Sequence, residues 1–398
     1  MKILAIETSC DDTGIAILSE NKKKLTVLSN IVSSQQIHSN YGGVFPMMAK
    51  REHQRNLVPV LEQALKLAKL LKITNHKSQI PNKFQTVKKI LEKENTLFEN
   101  TKDFLEKYEK PDIDAIAVTH GPGLEPCLYV GVNFAKALSH AWGIPVIPVN
   151  HIEAHILVNF LENPKIELPA VSLVVSGGHT QLILVKKIGN YQIIGETRDD
   201  AAGECFDKAA RILGLGYPGG PIISKIASEF GGRRTSPKIV LPRPMIHSKD
   251  YNFSFSGLKT SVLYRVRDEL KDRPVDQSTV LNKKFVSEMC FAVQDAICDV
   301  LIKKTINSAK AYKAKTIILG GGVSANSELR SQFEFKIKNE KLKMNLVFPP
   351  PALSTDNGLM IAVAGYFNKA KKIAPPSHKA SGGAVGQKLS VNANLRIG

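Results

Sequence analysis

The sequence predicts an α/β protein made of two lobes of related topology. Short runs of aliphatic and β-branched residues alternate with segments of helical periodicity, which is typical of α/β architecture. A strand, a turn of small hydroxyl and acidic residues, and a second strand occur at residues 3–18, and a comparable unit follows at residues 171–185. Two such units in corresponding places indicate two related lobes with a cleft between them, although two unrelated hairpins would produce the same pattern.

The predicted elements follow in chain order from the same periodicities. Apolar runs bounded by polar or glycine-containing turns predict the strands, and apolar residues at helical spacing predict a helix that begins near Val132. A second helix is predicted at residues 357–367, after a proline-rich loop at 348–354, and the tail beyond it is expected to be loose. The predicted strands are KILAIE, TGIAIL, DAIAVT (114–119), IPVIPV (144–149), VSLVV (171–175), QLILV (181–185) and KTIILG (315–320).

These elements divide into an N-terminal lobe, residues 1–150, and a C-terminal lobe, residues 151–398. The last helix of the C-terminal lobe is expected to pack back toward the N-terminal lobe. Residues 71–110 differ from the rest because they are rich in lysine and glutamate and have apolar residues at helical spacing after Pro81. This pattern predicts an inserted helical segment on the first lobe with a solvated face of mixed charge. A role in binding RNA or a protein partner is the alternative.

The charge balance favours a polyphosphate partner. The 398 residues include 54 lysines and arginines against 36 aspartates and glutamates, which gives a formal net charge of +18 and a pI near 9.5. A positive surplus of this size is typical of proteins that bind nucleic acid. One loop-rich stretch is a candidate RNA-binding surface, with a merely solubilising surface as the alternative. Its basic residues are Arg233, Arg234, Lys238, Arg243, Lys249 and Lys259.

Cysteine usage and hydropathy restrict the compartment. The five cysteines form no C-x-x-C pair, and their odd number disfavours a disulfide framework and favours a reducing compartment. No apolar run approaches the ~20 residues that a membrane span needs. Since the chain opens directly on a predicted strand, no targeting peptide is expected. We therefore expect a cytoplasmic protein that is neither secreted nor inserted in a membrane, with the mitochondrial matrix as the alternative if a transit peptide has been removed.

Two histidines four residues apart form the first candidate site. His151 and His155 point the same way if they lie on a helix, so both imidazoles can bind one metal ion. The metalloprotease motif H-E-x-x-H has its glutamate next to the first histidine, whereas Glu153 comes two positions later and lies ~200° around a helix from His151. The spacing therefore favours a metal site that is not a zinc protease. Two core or surface histidines are the alternative.

Two glycine-containing turns follow predicted strands. Residues 174–181 are VVSGGHTQ, and a strand end followed by two glycines lets the backbone approach a ligand and direct N–H groups at an anion. A type I′ hairpin turn is the alternative. Residues 320–326, GGGVSAN, leave a strand and open a helix, which suits a phosphate or a nucleoside. The second turn lacks the spacing of a Rossmann loop or a P-loop, which excludes these two common classes of nucleotide-binding site but not nucleotides in general.

Carboxylates provide the remaining candidates. Residues 7–14, ETSCDDTG, form a turn whose hydroxyl and carboxylate groups can bind a metal–phosphate complex, act as a general base, or satisfy local backbone groups. Residues 200–208 and 216–221 are a further candidate site, which is weak when taken alone. Asp356 can either cap the helix at 357–367 or serve as a metal ligand.

Together these motifs resemble the TsaD family of tRNA adenosine threonylcarbamoyltransferases, and their relatives in the archaeal and eukaryotic KEOPS complex and in mitochondria. The similarity covers nearly the whole chain, and the VSGGHTQL and DAAGE-x-FDK segments look like the bacterial branch. The motifs that resemble the family are IETSCDDTGIAI, GGVFPMMAKREHQRNLVPV, GPGLEPCLYVGVNFAKAL, NHIEAH, LVVSGGHTQL, DDAAGECFDKAARILGLGYPGGP, FSFSGLKT, ILGGGVSAN and STDNGLMIA.

The resemblance implies the two-lobed ASKHA fold of actin, heat-shock ATPases and sugar kinases. It also implies that His151, His155 and Asp356 hold one divalent metal ion per subunit, with Fe²⁺ expected and Zn²⁺ as the alternative. The archaeal branch has a further tyrosine ligand just before V-S-G-G, and because Val174 stands there, no fourth protein ligand is expected. Similarity to the substrate-binding positions of the family maps onto Val174, Val175, Ser176, Gly177, Gly178, Asp207, Gly220 and Asn326.

The reaction that the resemblance implies is transfer of a threonylcarbamoyl group from its adenylate to N6 of adenosine 37 in tRNAs that read ANN codons. Asp11 and Asp12 are the candidate catalytic carboxylates, although many relatives have glutamate at the position of Asp12. Thr8 and Ser9 are candidates for contacts with phosphate.

The resemblance also implies partners. They are tRNA, threonylcarbamoyl-AMP from a separate adenylate-forming enzyme, a TsaB-like dimerisation subunit and a TsaE-like P-loop ATPase. The alternative functions on the same fold are a metabolite kinase, which leaves the two histidines unexplained, and a non-catalytic tRNA-binding subunit.

Overall fold

The computed structural model describes residues 1–74, 81–231, 238–270, 281–375 and 389–398. Within these ranges the chain forms two compact units. The first unit contains residues 1–36, 44–161 and 356–397, and the second contains residues 37–43 and 162–355 together with Gly398. No helix in the described ranges combines the length and the apolar character that crossing a lipid bilayer requires.

The first unit is built on one five-stranded sheet. Its strands are β1 (Lys2–Glu7), β2 (Asp12–Asn21), β3 (Lys24–Ser34), β4 (Ala115–Gly121) and β5 (Val146–Asn150). They lie in the order β3-β2-β1-β4-β5, in which β1 to β3 form an antiparallel meander and β4 and β5 run parallel to β1. Its helices are α1 (Pro46–Leu67), α2 (Pro81–Ile90), α3 (Asn95–Lys107), α4 (Glu125–Trp142), α5 (His151–Leu157) and, after the second unit, α12 (Gly358–Phe367).

Helices cover both sides of this sheet, which explains why β1 is buried along almost its whole length and has a nearly continuous apolar sequence. Helix α12 packs against β1 and β2, while α1 packs on β2 and α4 on β4. The approach of α12 to β2 depends on two glycines. A Cβ at Gly14 would lie 2.6 Å from the backbone nitrogen of Gly358, and a Cβ at Gly358 would lie 2.5 Å from that of Ala16.

The second unit has its own five-stranded sheet. Its strands are β6 (Ala170–Val175), β7 (Thr180–Lys187), β8 (Asn190–Glu196), β9 (Thr316–Gly320) and β10 (Asn345–Val347). They lie in the order β10-β9-β6-β7-β8, in which β6 to β8 form an antiparallel meander and β9 and β10 run parallel to β6. Its helices are α6 (Ala202–Ile212), α7 (Gly219–Gly231), α8 (Ser256–Leu270), α9 (Lys283–Ala311), α10 (Ser327–Asn339) and α11 (Pro351–Ser354).

The two sheets are alike. In each unit the first strand is central, the second and third extend the sheet on one side as a meander, and the fourth and fifth extend it on the other side in parallel. The predicted pair of strand–turn–strand units is confirmed as β1–β2 and β6–β7. The α/β class with two related lobes, the ASKHA fold class, is therefore confirmed as well.

The units divide at a different place from the predicted boundary at residue 150. Helix α5 belongs to the first unit, where it packs on α12, and the chain leaves that unit only after residue 161. Residues 356–397 also belong to the first unit, where α12 lies against β1 and β2. The predicted boundary followed the end of a strand, and a linear pattern gives no sign that the next helix packs on a segment from the far end of the chain.

The helical segment predicted at 71–110 contains α2 and α3, while residues 75–80 lie outside the described ranges. The apolar residues that set its periodicity are buried in the core of the first unit, with Val87, Leu91 and Leu97 fully buried. Its lysines and glutamates are mostly exposed, as expected of an amphipathic helical pair.

The tail was expected to be loose, and this expectation is wrong for residues 389–397. Leu389 and Ile397 are buried, and the backbone N–H of Asn392 donates to the carbonyl oxygen of His120. The N–H of Gly123 in turn donates to the carbonyl oxygen of Ala393. The SGGAVGQ part of the tail lies outside the described residues.

Candidate functional site

Strand β5 runs directly into α5, so the first candidate histidine is the first residue of a helix. The side chain of Asn150 caps this helix by accepting hydrogen bonds from the N–H groups of Ile152 at 2.8 Å and Glu153 at 3.1 Å. His151 and His155 therefore lie one turn apart on the same helical face, and their ring centroids are 4.7 Å apart at an interplanar angle of 83°. Both side chains are buried.

Asp356 reaches the two histidines from the segment that leads into α12. Its Oδ1 lies 3.5 Å from Nε2 of His151 and 3.2 Å from Nε2 of His155. The cap of α12 is Asn357, which accepts the N–H of Met360, so the neighbouring aspartate is left to face the histidines. One ligand atom from each of the three residues lies within 4.8 Å of the others.

The chemistry of this group fits a metal ion. Nε2 of His151 and Nε2 of His155 both lie within 3.5 Å of the same carboxylate oxygen of Asp356, so one ion among them would be within reach of an atom from each residue. Two imidazoles and one carboxylate that leave coordination positions open are the ligand set of catalytic rather than closed structural sites. The structure thus brings together the three residues that the resemblance implied as ligands.

A glutamate lies behind His151, on the side opposite Asp356. Glu7, at the end of β1, is fully buried, and its Oε2 is 3.2 Å from Nδ1 of His151. The same oxygen accepts a hydrogen bond of 2.6 Å from the hydroxyl of Thr119, and Oε1 accepts one from the N–H of Ser9. Sequence reasoning missed the roles of Glu7 and Thr119.

These charges shift the pKa values of the group. Burial by itself lowers the pKa of His151, but the charges of Asp356 and Glu7 and the hydrogen bond with Glu7 outweigh burial and raise this pKa to about 9. Burial lowers the pKa of His155. The neighbouring Asp356 carboxylate acts in the opposite direction but does not outweigh burial. Burial alone would raise the pKa of Glu7, but the charge of His151 and its hydrogen bond hold it below the usual value.

The acid-rich turn precedes β2 in the same unit. Asp11 is half-buried in the turn, and Asp12 opens β2 opposite Ser34. Burial, together with the negative charges of Asp356, Asp11 and Glu7, raises the pKa of Asp12 to about 7, while a hydrogen bond with Ser34 works in the opposite direction. A carboxylate that titrates near neutral pH is suited to general-base chemistry.

A third histidine, which sequence reasoning did not single out, holds this turn in place. His53 of α1 is fully buried, with Nδ1 2.8 Å from the hydroxyl oxygen of Thr13 and Nε2 2.9 Å from the carbonyl oxygen of Cys10. The turn is therefore fixed at both ends by one side chain.

The candidates for phosphate contact turn their hydroxyl groups inward. Thr8 donates to the carbonyl oxygen of Cys127 at 3.1 Å and packs against Gly131, where a Cβ would lie 2.2 Å from its Oγ1. The hydroxyl oxygen of Ser9 lies 3.1 Å from Nδ1 of His151. Both side chains thus make contacts within the first unit.

In the second unit the two glycine turns leave neighbouring parallel strands. Val174 of β6 is paired with Gly320 of β9, so the carboxyl ends of the two strands meet at the same edge of the sheet. Gly321 has a φ of 84°, and a Cβ there would lie 2.4 Å from the carbonyl oxygen of Val175. Only glycine permits this approach.

The first of these turns offers open backbone. Gly177 and Gly178 are exposed, and a Cβ at either position would meet nothing within 4 Å. The preceding Ser176 is fixed, because its carbonyl oxygen accepts the N–H of Gly203 and its hydroxyl accepts the N–H of His179.

The other predicted substrate-binding residues lie in the same unit, Asp207 within α6 and Gly220 and Asn326 at the starts of α7 and α10. Asp207 accepts the N–H of Gly219 at 2.7 Å, beside Gly220 in the first turn of α7. Asn326 caps α10 by accepting the N–H of Leu329 at 3.0 Å, and its amide group donates to Gln294.

Glu153 faces away from the histidine cluster, as its spacing predicts. It accepts a hydrogen bond of 2.8 Å from the side chain of Asn368, just after α12. It therefore does not contribute a carboxylate to the cluster, and the zinc-protease interpretation is excluded by position.

The candidate RNA-binding stretch is described only in part, because Arg233 and Arg234 lie outside the described residues. The guanidinium of Arg243 contacts the carboxylates of Asp295 and Asp299, with Nε 3.0 Å from Asp299 Oδ2. Of the remaining three residues, Lys238 and Lys249 are exposed and Lys259 is half-buried.

The chain is similar to known proteins along its whole length. The family model for TsaD, tRNA N6-adenosine threonylcarbamoyltransferase, matches residues 26–74 and 96–363. The chain is 41% identical to the tRNA N6-adenosine threonylcarbamoyltransferase of Persephonella marina, covering 100% of this chain and 96% of that protein. It is 42% identical to the enzyme of the same name from Thermosipho africanus, covering 95% and 97% respectively.

Among solved structures, component A of the (R)-2-hydroxyglutaryl-CoA dehydratase of Acidaminococcus fermentans has 13% sequence identity and a TM-score of 0.48. The match covers 93% of this chain and 99% of that one.

Proposed function

Because this chain belongs to the family of tRNA N6-adenosine threonylcarbamoyltransferases, we propose that it transfers the threonylcarbamoyl group of threonylcarbamoyl-AMP to N6 of adenosine 37 in tRNAs that read ANN codons. The observation that supports this most is the full-length match to relatives of that name, found in a chain whose two histidines and aspartate form one cluster. A metabolite kinase would give no reason for that cluster.

The acceptor chemistry explains why an activated donor is needed. The lone pair of N6 is delocalised into the purine, so the amine is a poor nucleophile and reacts only with a mixed anhydride. In the transfer, a bond forms between N6 and the carbamoyl carbon, the bond from that carbon to the phosphate oxygen breaks, and AMP leaves. The proton of N6 goes to a base. Adenosine 37 lies in the anticodon loop and can be presented without opening a duplex.

His151, His155 and Asp356 would hold the metal ion, with Fe²⁺ as the expected ion and Zn²⁺ as the alternative. A divalent ion bound there would supply a fixed positive charge for the anionic groups of the adenylate and its leaving group. The approach of Oδ1 of Asp356 to Nε2 of both histidines supports this assignment.

The second unit would bind the adenylate through backbone rather than side-chain groups. The open turn at Gly177 and Gly178 lets N–H groups approach an anion, and the neighbouring glycine turn after β9 begins a helix. Asp207 of α6, Gly220 in the first turn of α7 and Asn326 at the cap of α10 are the further candidates for contacts with the substrate.

Asp11 and Asp12 are the candidates for the base that accepts the N6 proton. Asp12 has a pKa of about 7, so near neutral pH it is partly ionised and still basic enough to accept a proton. Asp11 is adjacent and would orient the acceptor.

The proposed partners are tRNA, an enzyme that supplies threonylcarbamoyl-AMP, a TsaB-like dimerisation subunit and a TsaE-like ATPase. The net charge of +18 supports an RNA partner. A cytoplasmic location is part of the same proposal.

Reconstitution tests the function. The chain is combined with threonine, bicarbonate, ATP, the adenylate-forming enzyme and tRNA, with and without the two partner proteins, and nucleosides are measured by mass spectrometry. We expect threonylcarbamoyladenosine in the complete reaction and its loss in His151→Ala. The matched control is Glu153→Gln, a buried residue of the same helix whose side chain faces away from the cluster. Absence of the modified nucleoside in every combination would refute the proposal.

The same variants separate an enzyme from a tRNA-binding subunit. If His151→Ala abolishes the modification while tRNA binding is unchanged, the cluster acts in the chemistry. If His151→Ala modifies tRNA as well as the unchanged protein does, the cluster does not act in the chemistry.

A further inference from the structure

The ring of His151 lies between two carboxylates. Its Nε2 is 3.5 Å from Oδ1 of Asp356, on the side of the metal cluster, and its Nδ1 is 3.2 Å from Oε2 of Glu7 on the other side. Glu7 is fully buried and is not part of the group of residues that can share one ion. It therefore contacts a ligand residue without being placed as a ligand itself.

The carboxylate of Glu7 has two further hydrogen-bond donors besides His151. Its Oε1 accepts the N–H of Ser9, and its Oε2 accepts the hydroxyl of Thr119 at 2.6 Å. A buried carboxylate is tolerated only when donors surround it, and a carboxylate can only accept. Nδ1 of His151 also lies 3.1 Å from the hydroxyl oxygen of Ser9, but only an N–H at Nδ1 gives Glu7 a further donor. When a metal ion displaces the other ring proton, the lone pair is then on Nε2, on the side of Asp356.

We propose that Glu7 is the positioning residue that fixes the orientation and tautomer of His151, so that Nε2 is the atom presented to the metal ion. A buried carboxylate that accepts the second ring N–H of a ligating histidine is a recurrent support of metal sites. Thr119 and the backbone of Ser9 hold the carboxylate in place from the ends of β4 and β1. This inference rests on the metal site of the proposed function.

The test variant is Glu7→Gln, which keeps the size of the side chain. The amide oxygen would stay toward the N–H of Ser9, which can only donate, and the amide NH₂ would replace Oε2. That NH₂ would face Nδ1 of His151 and favour the tautomer protonated on Nε2, in which Nε2 cannot bind metal. The hydroxyl of Thr119 can reverse its role and accept.

Zinc binding to the metal-free full-length protein, measured by competition with a coloured chelator, is the first readout. We expect the affinity of Glu7→Gln for Zn²⁺ to be about 10- to 100-fold lower than that of the unchanged protein. The control is Glu153→Gln, the same substitution at a buried glutamate of α5 that hydrogen-bonds Asn368, and its affinity should not change. Urea unfolding of both variants distinguishes loss of ligand orientation from loss of the fold.

The second readout needs no variant. In zinc-loaded protein labelled with ¹⁵N-histidine, with the His151 resonances assigned by their loss in His151→Ala, Nδ1 of His151 should be protonated and Nε2 should be bound to zinc. Zinc on Nδ1 would overturn the proposal even if Glu7→Gln failed to fold.

The outcomes separate the two proposals. If the unchanged protein binds no Zn²⁺, both the metal site and the role of Glu7 are refuted. If the unchanged protein binds Zn²⁺, His151→Ala loses it, and Glu7→Gln binds as tightly as the unchanged protein, only the positioning role of Glu7 is refuted.

Discussion

Replacing Asp12 by asparagine is expected to stabilise the metal-free protein, and to do so more strongly as the pH rises. Asp12 opens β2 with its carboxylate partly removed from water and close to the negative charges of Asp356, Asp11 and Glu7. These surroundings favour the protonated carboxyl. Asparagine has nearly the same shape and has no charge to lose.

The pH dependence and the size of this stability change follow from the pKa of Asp12. It is 3.8 in the unfolded chain and about 7 in the folded state, so the folded state binds the proton more tightly. The destabilisation by Asp12 is therefore absent below about pH 4, grows as the pH rises to about 7, and is constant above that. At about 1.4 kcal/mol for each pKa unit, its full size is at most about 4 kcal/mol.

The assay is urea unfolding in the presence of a metal chelator at about pH 5.5 and about pH 8, where the stability difference between Asp12→Asn and the unchanged protein should differ by about 2 kcal/mol. The control is Asp103→Asn, the same substitution at an exposed carboxylate of α3. If the stabilisation by Asp12→Asn stays constant or shrinks toward high pH, Asp12 is not a carboxyl with a raised pKa and the reasoning is wrong.

Three further outcomes are expected. Gly14→Ala should lower the free energy of unfolding by about 1–3 kcal/mol in urea titrations, because its Cβ would lie 2.6 Å from the backbone nitrogen of Gly358; an unchanged midpoint would contradict the close packing of α12 on β2. Asn150→Ala should cost about 1 kcal/mol in the same assay, because it removes the cap of α5, and Asn150→Asp, which keeps the acceptor, should restore most of it. The affinity for Zn²⁺ should rise about tenfold per pH unit up to about pH 9, because the metal must displace the proton of His151, whose pKa is about 9; a flat profile in isothermal titration calorimetry would rule this out.

The sequence was sufficient to predict the central strands, and the resemblance to a known family singled out the three residues that the structure brings together, His151, His155 and Asp356. β1, β4, β6 and β9 are buried, so their apolar runs are nearly continuous and stand out from the turns around them. β3 was not predicted, because it lies at the edge of its sheet with a largely exposed and polar sequence. β10 has only three residues, which is too short for a periodic signal.

Contacts between distant residues could not be predicted from the sequence. Glu7 and His151 are 144 residues apart, and nothing local distinguishes Glu7 from the other carboxylates of its turn. The ordered tail is held by backbone hydrogen bonds such as that from Asn392 to His120, which any sequence can form and which therefore leave no compositional trace. The ordered structure of residues 389–397 and the role of Glu7 both depend on contacts with residues that are distant in the sequence.

The direction of the parallel strands has a consequence for how the first unit can be modified. Glu7, Thr119 and His151 lie at or directly after the carboxyl ends of β1, β4 and β5, whereas the chain from α2 and α3 enters β4 at its amino end. A peptide inserted between α3 and β4 therefore lies at the amino ends of these strands, whereas His151 lies at their carboxyl ends. A peptide tag or fluorescent label placed there lies at the end of the sheet opposite His151, whereas the same insertion after β5 would separate Asn150 from the helix it caps.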